Sequence, residues 1–149
     1  MKKMLFMVVF ASMVLSSCEK NETDLRDEYV GEWSADVSGK ISMMMDNEPM
    51  GDFPMSMEDD FTITKVSDSD DGLNIDGINC TLKGNKLVFE DETSTANLDG
   101  VNTNMKIQRT GTAEKGKITI TETYDGTWTM MMMMSGTIKG TNVITLTKK

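Results

Sequence analysis

The side chains of this sequence best suited to chemistry are methionines, which are concentrated in a few short stretches. Residues 130–134 are five consecutive methionines, and residues 43–45 are three more. Thioether sulfur is a soft ligand that suits Cu(I), but methionine is also a flexible apolar side chain that fills irregular space. The methionines therefore predict either a soft-metal site or an apolar wall.

Strand geometry limits how many of these methionines can act together, because alternate side chains of a strand point to opposite faces. If residues 128–138 form one strand, Met130, Met132 and Met134 share the face of Trp128. The two methionines between them point away. Five thioethers therefore cannot converge, whereas three can, and three are enough for Cu(I).

We predict that this face lines the interior of the domain and binds a small apolar or amphipathic molecule, because methionines make a deformable lining. Two alternatives remain open. In one, Met130, Met132 and Met134 bind Cu(I) or Ag(I). In the other, the outward pair Met131 and Met133 forms a partner-binding patch on a non-catalytic structural or interaction protein with a filled core. The predicted lining residues are Trp33, Met43, Met45, Trp128, Met130, Met132 and Met134.

The composition argues against catalysis. The sequence has no histidine, which removes histidine-dependent triads, general bases and zinc ligands. Cys80 lies in a predicted strand without a histidine partner, so we interpret it as a small buried residue. No pair of carboxylates is singled out by spacing. The acidic segment at residues 68–72 does not fit the EF-hand pattern, so we predict a solvated turn, with a weak calcium site as the alternative. We predict a protein that is not an enzyme, with no catalytic residue and no cofactor.

The charge excludes one class of partner. All 24 acidic residues follow Cys18, together with 13 of the 15 basic ones, so that part of the chain carries a side-chain charge of −11. A polyanion repels such a chain, and we predict no nucleic-acid partner.

The first residues predict a targeting segment. Two lysines precede an uncharged apolar run at residues 4–15, which is too short to span a bilayer and fits a secretory signal. The motif Leu15-Ser16-Ser17-Cys18 that ends this run resembles the lipobox of bacterial lipoproteins. That resemblance implies removal of residues 1–17 and lipidation of Cys18. It also implies a membrane anchor in the bacterial cell envelope, where we expect the outer membrane, on its periplasmic face or at the cell surface. Residues 18–28 are the lipidated cysteine and a polar tether.

The rest of the chain alternates between apolar and polar residues, from Trp33 onward, and pairs such as Asp99-Gly100 and Lys115-Gly116 supply tight turns. We predict that residues 29–149 form an all-β antiparallel up-and-down β-barrel of about eight strands, with a two-sheet sandwich as the alternative. Residues 46–54 carry both prolines and are predicted as a long connection, either a cover for the barrel mouth or a plain hairpin.

The opening of the first predicted strand carries a second resemblance. Gly31-Glu32-Trp33 resembles the G-x-W signature of the calycin and lipocalin barrels. In those families the tryptophan closes one end of the barrel, and a basic side chain from the end of the last strand covers it. Here Lys148 or Lys149 stands in that place. The resemblance implies a cup that holds a small, often apolar, molecule.

Overall fold

The alternating pattern produces long strands in the computed structural model, which describes residues 23–98, 100–130 and 133–149. The described residues form one sheet of nine antiparallel strands after a short 3₁₀ helix (Leu25–Glu28). The strands are β1 (Gly31–Met45), β2 (Glu48–Lys65), β3 (Gly72–Ile75), β4 (Ile78–Lys83), β5 (Lys86–Phe89), β6 (Glu92–Leu98), β7 (Val101–Glu114), β8 (Lys117–Met130) and β9 (Met134–Lys148). The predicted signal peptide, residues 1–17, and the predicted lipidation site Cys18 lie outside the described residues.

The strand order confirms the predicted all-β up-and-down barrel. Consecutive strands pair through most of the sheet, and β1 also pairs with β9. The strands β5 and β6 both pair with β7, at opposite ends of that strand. They therefore lie end to end along the same edge of β7. Counting β5 and β6 as one, the nine strands form a closed ring that is eight strands around.

The ring is complete at one end only. The strand β2 pairs with β3 only at residues 63–65, and β5 pairs with β7 only at residues 110–112 of β7. We call this complete part the closed end. Beyond it, residues 48–61 of β2 pair with β1 but have no strand on their other edge among the described residues. Residues 92–98 of β6 likewise pair with β7 alone. We call that part the open end.

Side chains fill the closed end. Trp33, Ile63, Ile118 and Leu146 are fully buried there. The indole Nε1 of Trp33 donates a hydrogen bond of 2.8 Å to the Tyr29 carbonyl oxygen, so the ring is fixed as well as buried. The remaining members of this core are Tyr29, Ala35, Val37, Leu73, Ile75, Cys80, Leu82, Leu87, Ala113, Ile120 and Ile144.

The basic residue expected over the tryptophan is Lys148. It lies directly opposite Trp33 in the β1–β9 pairing, and its Nζ atom lies 5.7 Å from the centroid of the indole ring. A cation at that distance from an aromatic face is attracted to it. The same Nζ atom donates a hydrogen bond to the Glu28 carbonyl oxygen. Lys148 therefore joins the last strand to the segment that precedes the first.

Two boundaries in the structure differ from the predicted ones. Residues 24–28, predicted as the end of the tether, belong to the domain, because Lys65 forms ion pairs with Asp24 (2.8 Å) and Asp27 (2.6 Å). The predicted long connection at residues 46–54 is instead a two-residue turn at Asp46 and Asn47, which both have positive φ angles. Both prolines lie in β2, where an unpaired outer side tolerates a residue without an N–H group.

Among the helices of the described residues, none has the length and apolar character needed to cross a bilayer.

Candidate functional site

The inner face of the sheet continues from the closed end into the open end. Val37 is buried inside the closed end and pairs with Met57, and the next two inner pairs are Gly39–Met55 and Ile41–Phe53. Directly paired residues lie on the same face of a sheet. Phe53, Met55 and Met57 therefore face the interior of the barrel.

These three inward-facing side chains are nevertheless exposed to solvent. The exposed fraction is 54% for Phe53, 37% for Met55 and 50% for Met57. The cause is the free edge of β2, since this part of the strand pairs with β1 but not with β3 and no neighbouring strand covers the side chains. We call Phe53, Met55 and Met57 the apolar stripe. Large exposed side chains that adjoin one another mark candidate binding surfaces.

A row of polar residues crosses the inner face beside the stripe. Gly39 of β1 pairs with Asn142, Asn142 with Glu122, and Glu122 with Arg109, so the three polar residues lie side by side on the neighbouring strands β9, β8 and β7. We call Asn142, Glu122 and Arg109 the polar row. The row was not predicted from the sequence, although polar residues at inward positions of β7, β8 and β9 interrupt the apolar alternation there.

Hydrogen bonds hold the row together. The Nε atom of Arg109 lies 2.6 Å from Glu122 Oε1, and its Nη1 atom lies 2.6 Å from Glu92 Oε2. The side chains of Arg109 and Glu122 are only 8% and 9% exposed. The Tyr124 hydroxyl donates a hydrogen bond to the second oxygen of Glu122. A buried guanidinium with two carboxylates is a rigid charged group rather than a mobile surface pair.

Asn142 joins the polar row to the apolar stripe. Its Nδ2 atom donates to the Tyr124 hydroxyl at 3.0 Å and lies 3.4 Å from the sulfur of Met55. Its Oδ1 atom is buried and has no hydrogen-bond partner among the described residues. An unsatisfied buried acceptor costs about 1–3 kcal/mol, so this oxygen is a site where a hydrogen-bond donor would be favoured.

The environment of the row changes the pKa of two of its groups. Burial raises the pKa of Tyr124, and the hydrogen bond to the Glu122 carboxylate raises it further. Burial alone would lower the pKa of Arg109, but the hydrogen bonds to Glu122 and Glu92 outweigh burial and the pKa is raised. Tyr124 therefore stays a neutral donor and Arg109 stays a cation.

Glycines shape the inner face of the open end. A Cβ atom on Gly126 would lie 2.2 Å from the Asn104 carbonyl oxygen, and one on Gly140 would lie 2.7 Å from the Lys40 carbonyl oxygen. Both atoms belong to neighbouring strands, so no side chain fits at these positions. The glycines allow the sheet to curl tightly and leave its inner face concave.

The methionine run does not form one strand, so that prediction is wrong. The strand β8 ends at Met130 and β9 begins at Met134, and these two residues pair antiparallel, so the chain reverses direction within the run. Five identical residues contain no turn signal, and the pairing of the flanking residues Thr129 and Ser135 sets the hairpin. Met130 and Met134 still share a face, because they are directly paired. Met131 and Met132 lie outside the described residues, and Met133 is 91% exposed.

The other predicted lining residues are divided between core and open end. Trp33 is a fully buried core residue of the closed end. Trp128 is 1% exposed, and its Nε1 atom donates to the Met44 carbonyl oxygen at 3.2 Å. Met43 and Met45 are half-buried at the far end of β1, where Met43 shares the inner face with Ile138.

The remaining chemical candidates have structural roles. Cys80 is buried in the closed end, and burial raises the pKa of its thiol to about 11. The guanidinium of Arg26 binds the carbonyl oxygens of Val66, Ser69 and Gly72, so a side-chain cation already occupies the acidic loop. Across the described ranges, no group of three or more histidine, cysteine or carboxylate side chains is placed to hold a metal ion.

A depression of about 570 Å³ opens beside the polar row. Its walls include Ile78, Cys80, Glu90, Glu92 and Arg109. It gives solvent a route to the Arg109 end of the row.

The comparisons with known proteins give no relative. No protein-family model, no curated protein and no solved structure matches the chain significantly.

Proposed function

We propose that this chain is a lipid-anchored protein of the bacterial cell envelope that binds an elongated apolar or amphipathic molecule along the apolar stripe. The lipobox-like motif that ends in Cys18 supports the anchor. Acyl chains on that cysteine would each contribute about 0.8 kcal/mol per buried methylene, enough for stable attachment when several are present. The binding role is non-catalytic.

The observation that supports binding most strongly is the exposure of the stripe. Phe53 and Met57 face the inside of a barrel, where side chains are normally covered, yet about half of each is open to solvent. A bound apolar chain would cover them and recover the free energy of burial, about 25 cal/mol for each Å² removed from water. The core residues of the closed end are buried against one another, so we expect the bound molecule to lie in an open trough rather than in an enclosed cup.

Fluorescence of the neutral apolar dye N-phenyl-1-naphthylamine tests this proposal. All nine strands and the whole core lie within residues 29–148, so residues 19–149 contain the complete described fold. We expect saturable enhancement of the dye by this chain, and at least about tenfold weaker binding after Phe53→Ser with Met57→Ser.

The matched control replaces exposed apolar residues on the outer face, Val88→Ser with Val143→Ser. We expect the control to bind the dye as the unsubstituted chain does, and thermal unfolding checks that each variant is folded. Equal loss of binding in both double variants would show nonspecific surface adsorption and would refute the proposed trough.

Copper binding is the second candidate, and the pairing of Met130 with Met134 favours it. That pairing places two thioethers side by side on one face of the sheet. Competition with a Cu(I)-specific chelator measures the stoichiometry. One bound Cu(I) that is lost after Met130→Leu with Met134→Leu, and kept after Met55→Leu, would establish copper binding. Failure to compete with the chelator would exclude it.

A further inference from the structure

We propose that the molecule bound on the apolar stripe carries a hydrogen-bond-donating head group, cationic or neutral, and that the polar row selects it against an anionic head group on the same alkyl chain. A primary amine and an alcohol belong to the favoured class, and a carboxylate belongs to the disfavoured one. This inference rests on the proposed function, because it assigns the polar end of the same ligand.

The contact between the apolar stripe and the polar row determines where the head group of the bound molecule would lie. The Met55 sulfur lies 3.4 Å from Asn142 Nδ2, so the stripe meets the row with no residue between them. An alkyl chain along Phe53 and Met55 therefore brings its end to Asn142. The row is also open to solvent at its other end, where the Glu92 side chain is 50% exposed.

The hydrogen-bonding state of Asn142 selects a donor. The residue is 1% exposed and its Nδ2 atom already donates to Tyr124. Its Oδ1 atom accepts no hydrogen bond from any described residue. An ammonium or hydroxyl group supplies the missing donor, whereas a carboxylate brings only further acceptors. The cost of the unsatisfied oxygen is relieved by the first class alone.

The charges that face the trough act in the same direction. Arg109 is engaged by both Glu122 and Glu92, which leaves this group with a net negative charge. Asp59 adds another negative charge, because it pairs with the buried Ala35 and so lies on the inner face of β2. Near a poorly hydrated surface such charges repel an anion and attract a cation.

The lysines along the open end do not offset this charge. Lys40, Lys106 and Lys139 occupy outward positions of their strands, since each stands between inward-facing neighbours. Lys65 and Lys148 lie at the closed end, where they bind Asp24 and the Glu28 carbonyl oxygen.

The test uses three twelve-carbon probes that differ only in the head group: dodecylamine, dodecanol and dodecanoate. Each competes with N-phenyl-1-naphthylamine for residues 19–149 at neutral pH and below its micellar concentration. We expect dodecylamine and dodecanol to displace the dye at concentrations at least about tenfold lower than dodecanoate. The Glu92→Gln variant removes a half-exposed charge without disturbing the core, and we expect it to narrow the gap between amine and carboxylate by several-fold.

The outcomes separate the two proposals. Equal or tighter binding of dodecanoate, with normal dye binding, would overturn the inference and leave the proposed function standing. Failure of the dye and of all three probes to bind would instead overturn the proposed function. The control Asp125→Asn removes an exposed carboxylate on the outer face of β8, and an equal effect of that variant would show that the preference arises from overall charge rather than from the row.

Discussion

The closed end and the open end are built from the same strands and the same alternating pattern, but they use their apolar inner faces differently. Trp33 and Leu146 at the closed end are fully buried. Phe53 and Met57, only a few residues along the same inner face, are about half exposed. The difference lies in strand pairing, because β2 pairs with β3 only at residues 63–65 and residues 48–61 pair with β1 alone. Alternation determines which way a side chain faces, whereas closure of the ring determines whether it is covered.

The polar row lies between these two regions. Its ion pairs would be costly in the middle of the filled core, since each buried charge needs a compensating partner. At the edge of the core they cost less and stay partly accessible through Glu92. The polar row therefore forms the boundary between the closed end, which stabilises the fold, and the open end, which we propose binds a ligand.

The largest expected effect contrasts one aromatic residue from each end. We expect Trp33→Ala to lower the free energy of unfolding by about 3–5 kcal/mol, because it removes a buried ring and leaves a cavity. We expect Phe53→Ala to change it by less than about 0.5 kcal/mol, as for an exposed side chain. Urea denaturation measures both. A similar loss in both variants would mean that the open end contributes to the core.

The next effect concerns the polar row. Arg109→Met leaves the buried Glu122 carboxylate without its cation, and we expect a loss of about 3 kcal/mol in the free energy of unfolding. The double variant Arg109→Met with Glu122→Gln removes both charges, and we expect it to recover most of this loss. Denaturant unfolding of the two variants checks the prediction, which fails if the double variant is no more stable than the single one.

A smaller effect tests the curvature of the open end. We expect Gly126→Ala to lower the free energy of unfolding by about 2 kcal/mol, because the added Cβ atom overlaps the backbone of β7. The neighbouring outward position provides the control, Thr127→Val, for which we expect little change. If Gly126→Ala is equally neutral, the sheet does not need to curl as tightly at that point.

The smallest effect is pH dependence at the closed end. Burial raises the pKa of Cys80 from 9.0 to about 11, so the folded state keeps the thiol protonated at pH values where the unfolded state loses the proton. The stabilisation that comes from the protonated thiol is therefore complete below about pH 9 and is lost as the pH rises through about 11. Cys80→Ala should show a shallower loss of stability over this pH range. An unchanged profile would place the titration elsewhere.

Much of the fold could be predicted from the sequence, because alternation and turn residues are local signals. The inward positions of Trp33, Ile118 and Leu146 follow from period two alone. The chain reversal inside the methionine run could not be predicted, because its signal is the pairing of flanking strands rather than any residue of the run. The positively charged neighbour of the acidic loop, Arg26, is distant in sequence and was equally hidden.

The candidate site was less predictable than the fold. Phe53, Met55 and Met57 lie in a segment interrupted by two prolines, and this obscured its strand character. Asn142, Glu122 and Arg109 belong to three different strands, and their alignment depends on register across the sheet. Register is a property of paired strands, and one sequence read along its length does not contain it.

Hydrogen–deuterium exchange of residues 19–149, with and without dodecylamine, tests most directly whether one end holds the fold and the other binds. We predict that amides of the closed end, such as those of residues 33–37 and 144–146, are the most protected in the free chain and change little. We predict that added ligand slows exchange at residues 51–58 and 140–142. Slowed exchange at the closed end instead, with none at residues 51–58, would contradict the account.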